Sequence, residues 1–290
     1  MDNFVEILKS TKRIPIFVDL NNTLFRFYYM LDGKSGNDIS YGTYSGFANF
    51  IKNLDYLGYE IFLCEEGSSK WRKELNEDYK ADRLGTVSFR PEYFNIRKLI
   101  SNIPNAHTLL AEDYEADDVM FSAAKICSKL GIKCCIFTRD RDLFQALDKN
   151  IRVVTKISYG VNESVSYPSK EYDKVFSVPP KALPFYRALK GDTSDNIKPV
   201  VSRFPTKLME RIALCLSESG SLADFKVMKD SEWKWLKQLK KNWLTYQTNY
   251  NIMRLKIIDF KLLDKEKEDS YIEICNIYKL NDFYKYVISR

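Results

Sequence analysis

The chain has 290 residues, of which 45% are hydrophobic and 29% charged, so it carries enough apolar material for a folded core. It contains no run of about 18 uncharged apolar residues, which excludes a membrane-spanning helix. The opening MDNFVEILKSTKR lacks the features of a signal peptide, so we expect a cytoplasmic protein. Six cysteines without a CxxC pair indicate free thiols, and the single histidine, His107, leaves catalysis to carboxylates, lysines and metals.

The positive charge is concentrated in the C-terminal part of the chain. Residues 1–180 contain 24 Lys and Arg against 25 Asp and Glu, whereas residues 181–290 contain 21 against 14, so the net charge of +6 arises in the second part. A basic lobe beside a nearly neutral one favours a polyanionic partner, although simple solubility would also account for an excess of this size.

Short apolar strands alternate with helical patterns in the first half of the chain. Strands are predicted at 14–20, 59–64, 134–139 and 151–156, with a weaker candidate at 108–111. Helices are predicted at 43–58, 91–103 and 115–131, where apolar residues recur every three to four positions. This alternation predicts an α/β fold with a central, mostly parallel sheet flanked by helices on both faces.

The pattern changes near Pro179 and Pro180, where two prolines interrupt any continuing element. Beyond them helix formers dominate, as in DSEWKWLKQLKKNWLTYQ, which contains the basic cluster Lys237, Lys240 and Lys241. We therefore predict an α/β core over 1–180 and a mainly helical lobe over 181–290. The last 30 residues fit either a strand or a helix.

Acidic residues follow each expected strand. In open α/β sheets, ligands bind at the carboxyl ends of the strands, so most of these acids should converge at one edge. Converging carboxylates repel one another unless cations neutralise them, and Mg²⁺ is the usual hard cation with oxygen ligands. Two such ions about 4 Å apart are the known device for in-line phosphodiester cleavage. The acids are Asp19, Glu65, Glu66, Glu115, Asp117, Asp118, Asp140, Asp142, Asp192 and Asp195.

Each acidic group also has an ordinary structural explanation. A single Asp after a strand is most often a helix cap or turn residue, and acids in a first helical turn, as in 115–118, complement the helix dipole. Five groups at the same expected edge are much harder to explain by capping alone. The sequence therefore favours a metal site there.

A basic and aromatic segment, KWRKELNEDYKADR, spans residues 70–83. Lysine and arginine bind phosphates, and aromatic faces stack on unpaired bases, so the segment is a candidate nucleic-acid contact. An amphipathic surface helix explains it equally well. The candidate residues are Lys70, Trp71, Arg72, Lys73, Tyr79, Lys80 and Arg83.

Taken together, these motifs resemble the 5′-nuclease (flap endonuclease) family, particularly the short bacteriophage ribonuclease H and 5′-3′ exonuclease members. The likeness covers about residues 14 to 210 and follows the family's motif order: FVDLNNTLFRF, WRKELNEDYKADR, YEADD, TRDRD and KGDTSDNI. It implies a PIN-like core with a helical arch at about 67–95 and a C-terminal helical DNA-binding lobe.

The resemblance also implies roles for individual residues. Lys80 and Arg83 would lie on the scissile phosphate and Tyr79 near a flipped nucleotide. Asp19 would bind metal, and Glu115 and Asp117 would lie toward the first metal, with Asp118 close by. The second metal would be held by Asp140, Asp142, Asp192 and Asp195.

Two positions depart from the family pattern. The family usually has an Asp after the second strand, whereas LCEEG offers Glu65 or Glu66, and alignment alone does not choose between them. After KGDTSDN the family commonly continues into a glycine-rich hairpin that grips duplex DNA through a potassium ion. Here IKPVVSRFPTK has no glycine, which argues against a K⁺ site and leaves Lys198, Arg203 and Lys207 as candidate direct phosphate contacts.

The resemblance implies a monomeric, Mg²⁺-dependent 5′-nuclease of DNA replication, with two ions and Mn²⁺ as a substitute. Its substrate would be a 5′ flap, a nick or an RNA-primed duplex, and a replication clamp or single-strand-binding protein is a candidate partner. Two alternatives remain. One is a DNA-binding scaffold of the same fold without catalysis. The other is a haloacid-dehalogenase-type phosphatase, whose second catalytic Asp would be replaced by Asn21 in FVDLNNTL.

Overall fold

A computed structural model describes residues 2–32, 41–81, 89–158 and 161–290. Helices and strands alternate through the first part of the chain, and helices dominate the second. The strands are β1 (Ile14–Asp19), β2 (Tyr59–Cys64), β3 (Ala106–Leu110), β4 (Cys134–Phe137), β5 (Ile151–Ser158), β6 (Val161–Val165) and β7 (Lys261–Leu262). The helices are α1 (Asp2–Ser10), α2 (Leu20–Phe27), α3 (Tyr41–Tyr56), α4 (Lys70–Leu75), α5 (Tyr93–Leu99), α6 (Ala116–Lys129), α7 (Lys170–Val175), α8 (Leu183–Lys190), α9 (Thr206–Ser219), α10 (Trp233–Lys241), α11 (Trp243–Met253), α12 (Ser270–Ile277) and α13 (Asn281–Ile288).

Within the described ranges, seven strands form one mixed sheet in the order β6-β5-β4-β1-β2-β3-β7. The five central strands, β5-β4-β1-β2-β3, are parallel, and β6 and β7 pair antiparallel at the two edges. The predicted α/β architecture with a largely parallel sheet is confirmed. The antiparallel edge strands are additions to that prediction.

The central strands are mostly apolar, as expected of strands that are buried on both faces. In β1, Ile16 and Val18 belong to the core that α3, α5, α12 and α13 cover. Phe17, between them in sequence, belongs to the opposite core, which α1 and α6 cover. Successive strand residues point to opposite faces, so this short strand supplies both cores. The packing fixes where the strand ends, and with it the position of Asp19.

The second half of the chain contains its own apolar cluster. Residues from α8, α9, α10 and α11 are buried together, with Leu189, Ile212 and Leu239 at 0% exposure. Division of the chain at 180 stays a prediction, because the residues after α11 return to the sheet. There β7 pairs with β3, and Tyr271, Ile274 and Phe283 from α12 and α13 pack into the first core. The tail left open by the sequence therefore contains both a short strand and two helices.

In the described ranges, none of the helices has the length and apolar character needed to cross a membrane.

Candidate active site

A cavity of about 400 Å³ lies where the parallel strands end. It is lined mainly by polar and charged side chains, and its residues come from the ends of β1, β2, β3 and β4, from the segment after α4, and from the turn after α8. The lining residues are Asp19, Asn21, Asn22, Phe25, Glu66, Arg72, Tyr79, Lys80, Glu115, Asp117, Asp140, Asp142, Asp195, Ile197, Ile252, Met253 and Leu255.

Asp19 combines a capping role with a place in the cavity. It is the last residue of β1 and the N-cap of α2, where its Oδ1 accepts a hydrogen bond from the backbone N–H of Asn22 at 2.8 Å. The cap uses one carboxylate oxygen and leaves the group facing the cavity. Capping of α2 and metal binding by Asp19 are therefore compatible.

The two consecutive glutamates after β2 have different environments. Glu66 lines the cavity, and its Oε2 accepts a hydrogen bond at 2.9 Å from the backbone N–H of Ala116 at the start of α6. Glu65 points elsewhere and forms an ion pair with Arg97 at 2.7 Å. The following Gly67 passes so close to the carbonyl groups of residues 111–114 that a Cβ would lie 2.1 Å from the oxygen of Ala111. This close approach holds the turn against the end of β3.

The acidic start of α6 divides between the cavity and a buried ion-pair network. Asp117 faces the cavity. Asp118 is fully buried and receives the guanidinium of Arg72 through two contacts, at 2.7 and 3.0 Å. Glu115 also pairs with Arg72, at 2.6 Å. Arg72 is only 2% exposed and reaches back further to the carbonyl of Ile252, so it ties α4 to α6 and α11.

Lys80 and Tyr79 approach the cavity from the segment after α4. The Lys80 ammonium pairs with Glu115 at 2.7 Å, and the Tyr79 hydroxyl donates to the same carboxylate at 3.1 Å. Lys80 has a backbone φ of 55°, and its N–H donates to the carbonyl of Asp195 at 3.2 Å. This bond joins the segment after α4 to the turn after α8. The predicted Arg83 and the rest of 82–88 in the predicted arch lie outside the described residues.

A second group of carboxylates lies beside the first. Asp142, Asp192 and Asp195 offer oxygen atoms that all lie within 4.8 Å of one another. The turn after α8 requires Gly191, which has a φ of 75° and whose Cβ would lie 2.6 Å from the carbonyl oxygen of Ile197. Asp140 stands next to this group and its Oδ1 accepts the backbone N–H of Asp142 at 2.8 Å.

Burial and mutual repulsion in the cavity disfavour the ionised form of several of its carboxyl groups. Burial, reinforced by Asp140, raises the pKa of Asp19 to about 6. Burial and the nearby charge of Glu115 raise the pKa of Glu66 to about 7. The pKa of Asp142 is raised to about 7 by burial although Arg187 opposes the shift. Burial and two neighbouring aspartates raise the pKa of Asp117 well above its usual range.

These groups fit a hard divalent cation. The donors are all carboxylate oxygens, and those of Asp142, Asp192 and Asp195 are gathered within 4.8 Å of one another. A cation bound there would reverse the raised pKa values by favouring the ionised carboxylates. Glu115 differs from this set. Burial alone would raise the pKa of Glu115, but Lys80 and Arg72 outweigh it and lower that pKa.

The predicted nucleic-acid contacts fall into two classes. Lys70 and Lys73 on α4 are exposed, as are Lys198, Arg203 and Lys207 on and before α9, where Lys207 also pairs with Glu210 at 3.2 Å. The side chain of Arg72 is almost fully buried. The ring of Trp71 is covered by the ammonium of Lys256, 3.3 Å from its centroid, and by Arg72.

The sequence alone missed several residues of the site. Asn21, Asn22 and Phe25 reach the cavity from the first turn of α2, and an N-terminal turn after a strand-ending Asp was a signal for them. Arg187, which pairs with Asp142 and Asp192, lies on α8 just before the GD motif. Ile252, Met253 and Leu255 arrive from the far end of the chain, and no local pattern indicated them.

Comparison with known proteins places the chain in a family. The model of the family described as 5′-3′ exonuclease, N-terminal resolvase-like domain, matches residues 15–175. The chain therefore belongs to the 5′-3′ exonuclease family, and the resemblance drawn from its motifs is confirmed.

Curated relatives agree with this assignment. DNA polymerase I of Chloroflexus aurantiacus is 36% identical over 191 residues, which cover 63% of this chain and 20% of that protein. The thermostable DNA polymerase I of Thermus filiformis is 29% identical over 224 residues, 77% of this chain and 26% of that protein. A 5′-3′ exonuclease of Mycoplasmopsis pulmonis is 33% identical over 192 residues, 63% of this chain and 60% of that protein. The chain thus spans a fifth to a quarter of these polymerases.

Solved structures share the fold along nearly the whole chain. The T5 D15 protein, crystallised with metal ions, gives a TM-score of 0.62 at 17% identity, covering 96% of this chain and 99% of its own. The catalytic core of Rad2 in complex with DNA substrate gives 0.58 at 15% identity, with coverages of 97% and 94%. A further T5 5′-exonuclease structure contains zinc as divalent metal ions.

Proposed function

We propose that this chain is a Mg²⁺-dependent 5′-nuclease that hydrolyses phosphodiester bonds in 5′-flapped or RNA-primed duplexes during DNA replication. The observation that carries the proposal is the convergence of carboxylates from four strand ends, with Lys80 beside them, in one cavity. The replication role is supported by the DNA polymerase I relatives.

The residues of the cavity would divide the work by charge. Asp19, Glu66 and Asp117 would hold one divalent ion, and Asp142, Asp192 and Asp195 a second, with Asp140 between them. Divalent ions bound there would lower the pKa of an attacking water and neutralise charge that develops on the phosphate. Lys80 would add a fixed positive charge to the transition state.

Substrate contacts would come from both lobes. Lys80, with Arg83, would meet the scissile phosphate, and Tyr79 would lie near the displaced nucleotide. The Lys80 ammonium forms an ion pair with Glu115, so a substrate phosphate would compete with that carboxylate for the ammonium. The exposed Lys70 and Lys73 on one side, and Lys198, Arg203 and Lys207 on the other, would bind flanking backbone phosphates. Arg72 and Trp71 would support the cavity instead of contacting DNA, since both are covered.

A cleavage assay tests the proposal. The protein is incubated with 5′-labelled flapped and RNA-primed duplexes in Mg²⁺ or in EDTA, alongside the double variant Asp140→Asn, Asp142→Asn. The control Asp173→Asn changes an exposed aspartate on α7, away from the cavity. Cleavage by the parent and the control in Mg²⁺ only, with loss of at least about a hundredfold in the double variant, is expected. Full cleavage by the double variant would overturn the assignment.

The same assay separates the alternatives. A non-catalytic scaffold would bind these duplexes and cut none of them in any divalent ion. A haloacid-dehalogenase-type phosphatase would instead hydrolyse a generic phosphate monoester, which is included as a parallel substrate. Asn21 occupies the place of that enzyme's acid/base in the cavity and cannot donate a carboxyl proton.

A further inference from the structure

Arg187 occupies a position that the metal-site interpretation does not explain. It lies in the last turn of α8, and its side chain is only 18% exposed. Its guanidinium pairs with Asp142 through Nε and with Asp192 through a terminal nitrogen. Asp142, Asp192 and Asp195 form the carboxylate group whose oxygens lie within 4.8 Å of one another. A permanent cation is therefore inserted where a divalent ion is expected.

The first carboxylate group is arranged differently. In the described part of the chain, Asp19, Glu66 and Asp117 form no ion pair with an arginine. The charge of Lys80, whose ammonium pairs with Glu115, acts on all three of them. The two groups therefore meet an incoming cation under different conditions. Among the described residues, Lys80 partly offsets the charge of the first group, whereas Arg187 already pairs with two carboxylates of the second.

We propose that Arg187 is a positioning residue that acts as the resident counter-cation of the Asp142–Asp192–Asp195 group and competes with the second divalent ion for it. This inference rests on the proposed function, because it presumes that ions bind in the cavity. Without metal, Arg187 holds together carboxylates that would otherwise repel one another. When an ion binds, it meets the positive charge of Arg187 and must displace the guanidinium from Asp142 or Asp192.

Competition between Arg187 and the second ion predicts the direction in which the affinity for that ion changes. Replacing Arg187 by an uncharged side chain of similar length removes the competing cation, so the second ion should bind more tightly. A merely structural role predicts the reverse, because loss of a supporting side chain would loosen the carboxylates and weaken the ion. The direction of the affinity change therefore separates the two roles.

The test is calorimetric titration of the metal-free protein with Mn²⁺. Arg187→Met should bind the second ion about tenfold or more tightly than the parent, while the first ion changes little. It should also unfold several degrees lower in EDTA, with most of the loss recovered in Mn²⁺. Arg187→Lys keeps the charge and should stay near the parent. Lys190→Met, an exposed cation three residues further along the same helix, should match the parent in both measurements. A second ion that is unchanged or weaker in Arg187→Met overturns the inference.

A measurement on the parent protein covers the case in which Arg187→Met does not fold. With ¹⁵N-labelled arginine, the side-chain Nε resonance of Arg187 is assigned by its absence from Arg187→Lys. It should move with the second equivalent of Mg²⁺ and not with the first. Movement with the first equivalent, or none while two ions bind, contradicts the inference. If neither ion binds at all, the proposed function itself fails, which is a distinguishable result.

Discussion

Glu65 and Glu66 are adjacent in sequence but lie in different environments at the end of β2. Glu66 faces the cavity and caps α6, while Glu65 is buried against Arg97 on the other side. Sequence alignment cannot separate the two, since both fit the motif spacing. The backbone decides, because Gly67 approaches the end of β3 closely and fixes which of the two side chains points inward.

This difference predicts two distinct phenotypes. Glu66→Gln should raise the Mg²⁺ concentration needed for cleavage by about tenfold or more, because a neutral amide is a poor ligand for a hard cation. Glu65→Gln should leave the Mg²⁺ requirement unchanged and cost about 1–3 kcal/mol of stability through the weakened bond to Arg97. Cleavage against Mg²⁺ concentration and urea unfolding check both variants. Equal Mg²⁺ requirements for the two would show that the first ion is held without Glu66.

The raised carboxyl pKa values predict how stability depends on pH in the absence of metal. Asp19, Glu66 and Asp142 have pKa values of about 6, 7 and 7 in the folded protein, above the ordinary values of 3.8, 4.5 and 3.8. Between the ordinary and the raised values the folded state binds more protons than the unfolded state, so stability falls as pH rises. In EDTA the free energy of unfolding should therefore decrease from pH about 5 to about 8.

Saturating Mg²⁺ should suppress this decrease, because a bound cation keeps the carboxylates ionised and favourable. Urea unfolding at several pH values, with EDTA or Mg²⁺, makes the comparison. Glu66→Gln serves as the matched control and should show a shallower slope in EDTA. Stability that rises with pH in EDTA would contradict the assignment of the raised values.

At the scale of elements, α4 has an inward-facing side that its sequence did not reveal. Its alternating basic and aromatic residues are typical of a surface helix or a nucleic-acid contact. The structure instead turns Arg72 inward onto Glu115, Asp118 and the carbonyl of Ile252, which links α4, α6 and α11. The partners are distant in sequence, and Ile252 lies 180 residues away, so local patterns could not reveal the network.

Removing this arginine should destabilise the whole molecule. Arg72→Met leaves Asp118 buried without its ion-pair partner and Glu115 with Lys80 alone. Breaking one side of a buried ion pair typically costs about 3–5 kcal/mol. Lys73→Met changes the exposed neighbour on the same helix and should cost less than about 0.5 kcal/mol. Urea unfolding measures both. Equal stability of the two variants would show that the network contributes nothing net.

The segment between α8 and α9, with the first turn of α9, contains the cations that we expect to bind duplex DNA. The stretch 197–207 contains no glycine, and Arg203 itself takes the left-handed conformation with a φ of 55°. Lys198, Arg203 and Lys207 are exposed on this segment, which favours direct contacts from side-chain cations over a backbone grip through potassium.

Duplex affinity should then fall steeply with total salt and change little when Na⁺ replaces K⁺ at constant ionic strength. Each alanine substitution at these three cations should reduce the salt slope by about one unit and weaken all duplex sequences alike. Fluorescence anisotropy across a salt series measures the slope. A triple alanine variant that matches the parent would show that these cations only solubilise the surface, and a strong preference for K⁺ would indicate an ion site in the turn.

At the scale of the whole molecule, the sequence predicted what local periodicity encodes. β2 was predicted with its exact limits, and the convergence of acids followed from the parallel sheet. The closing segment was not predicted, because β7 is two residues long and pairs with β3, far earlier in the chain. Residues 252–258 also bond to Gln145, Asp118 and Ser122 beside the cavity. The cavity wall is thus completed by long-range contacts that carry no local signal.

We infer that the converging carboxylates form a divalent-metal centre. Crystals of the parent protein soaked in Mn²⁺ test it most directly, through anomalous scattering at the manganese edge. We expect anomalous peaks inside the cavity, one beside Asp19, Glu66 and Asp117 and a weaker one beside Asp142, Asp192 and Asp195. The second peak should be lost in Asp142→Asn. A cavity without any anomalous peak at saturating Mn²⁺ would contradict it.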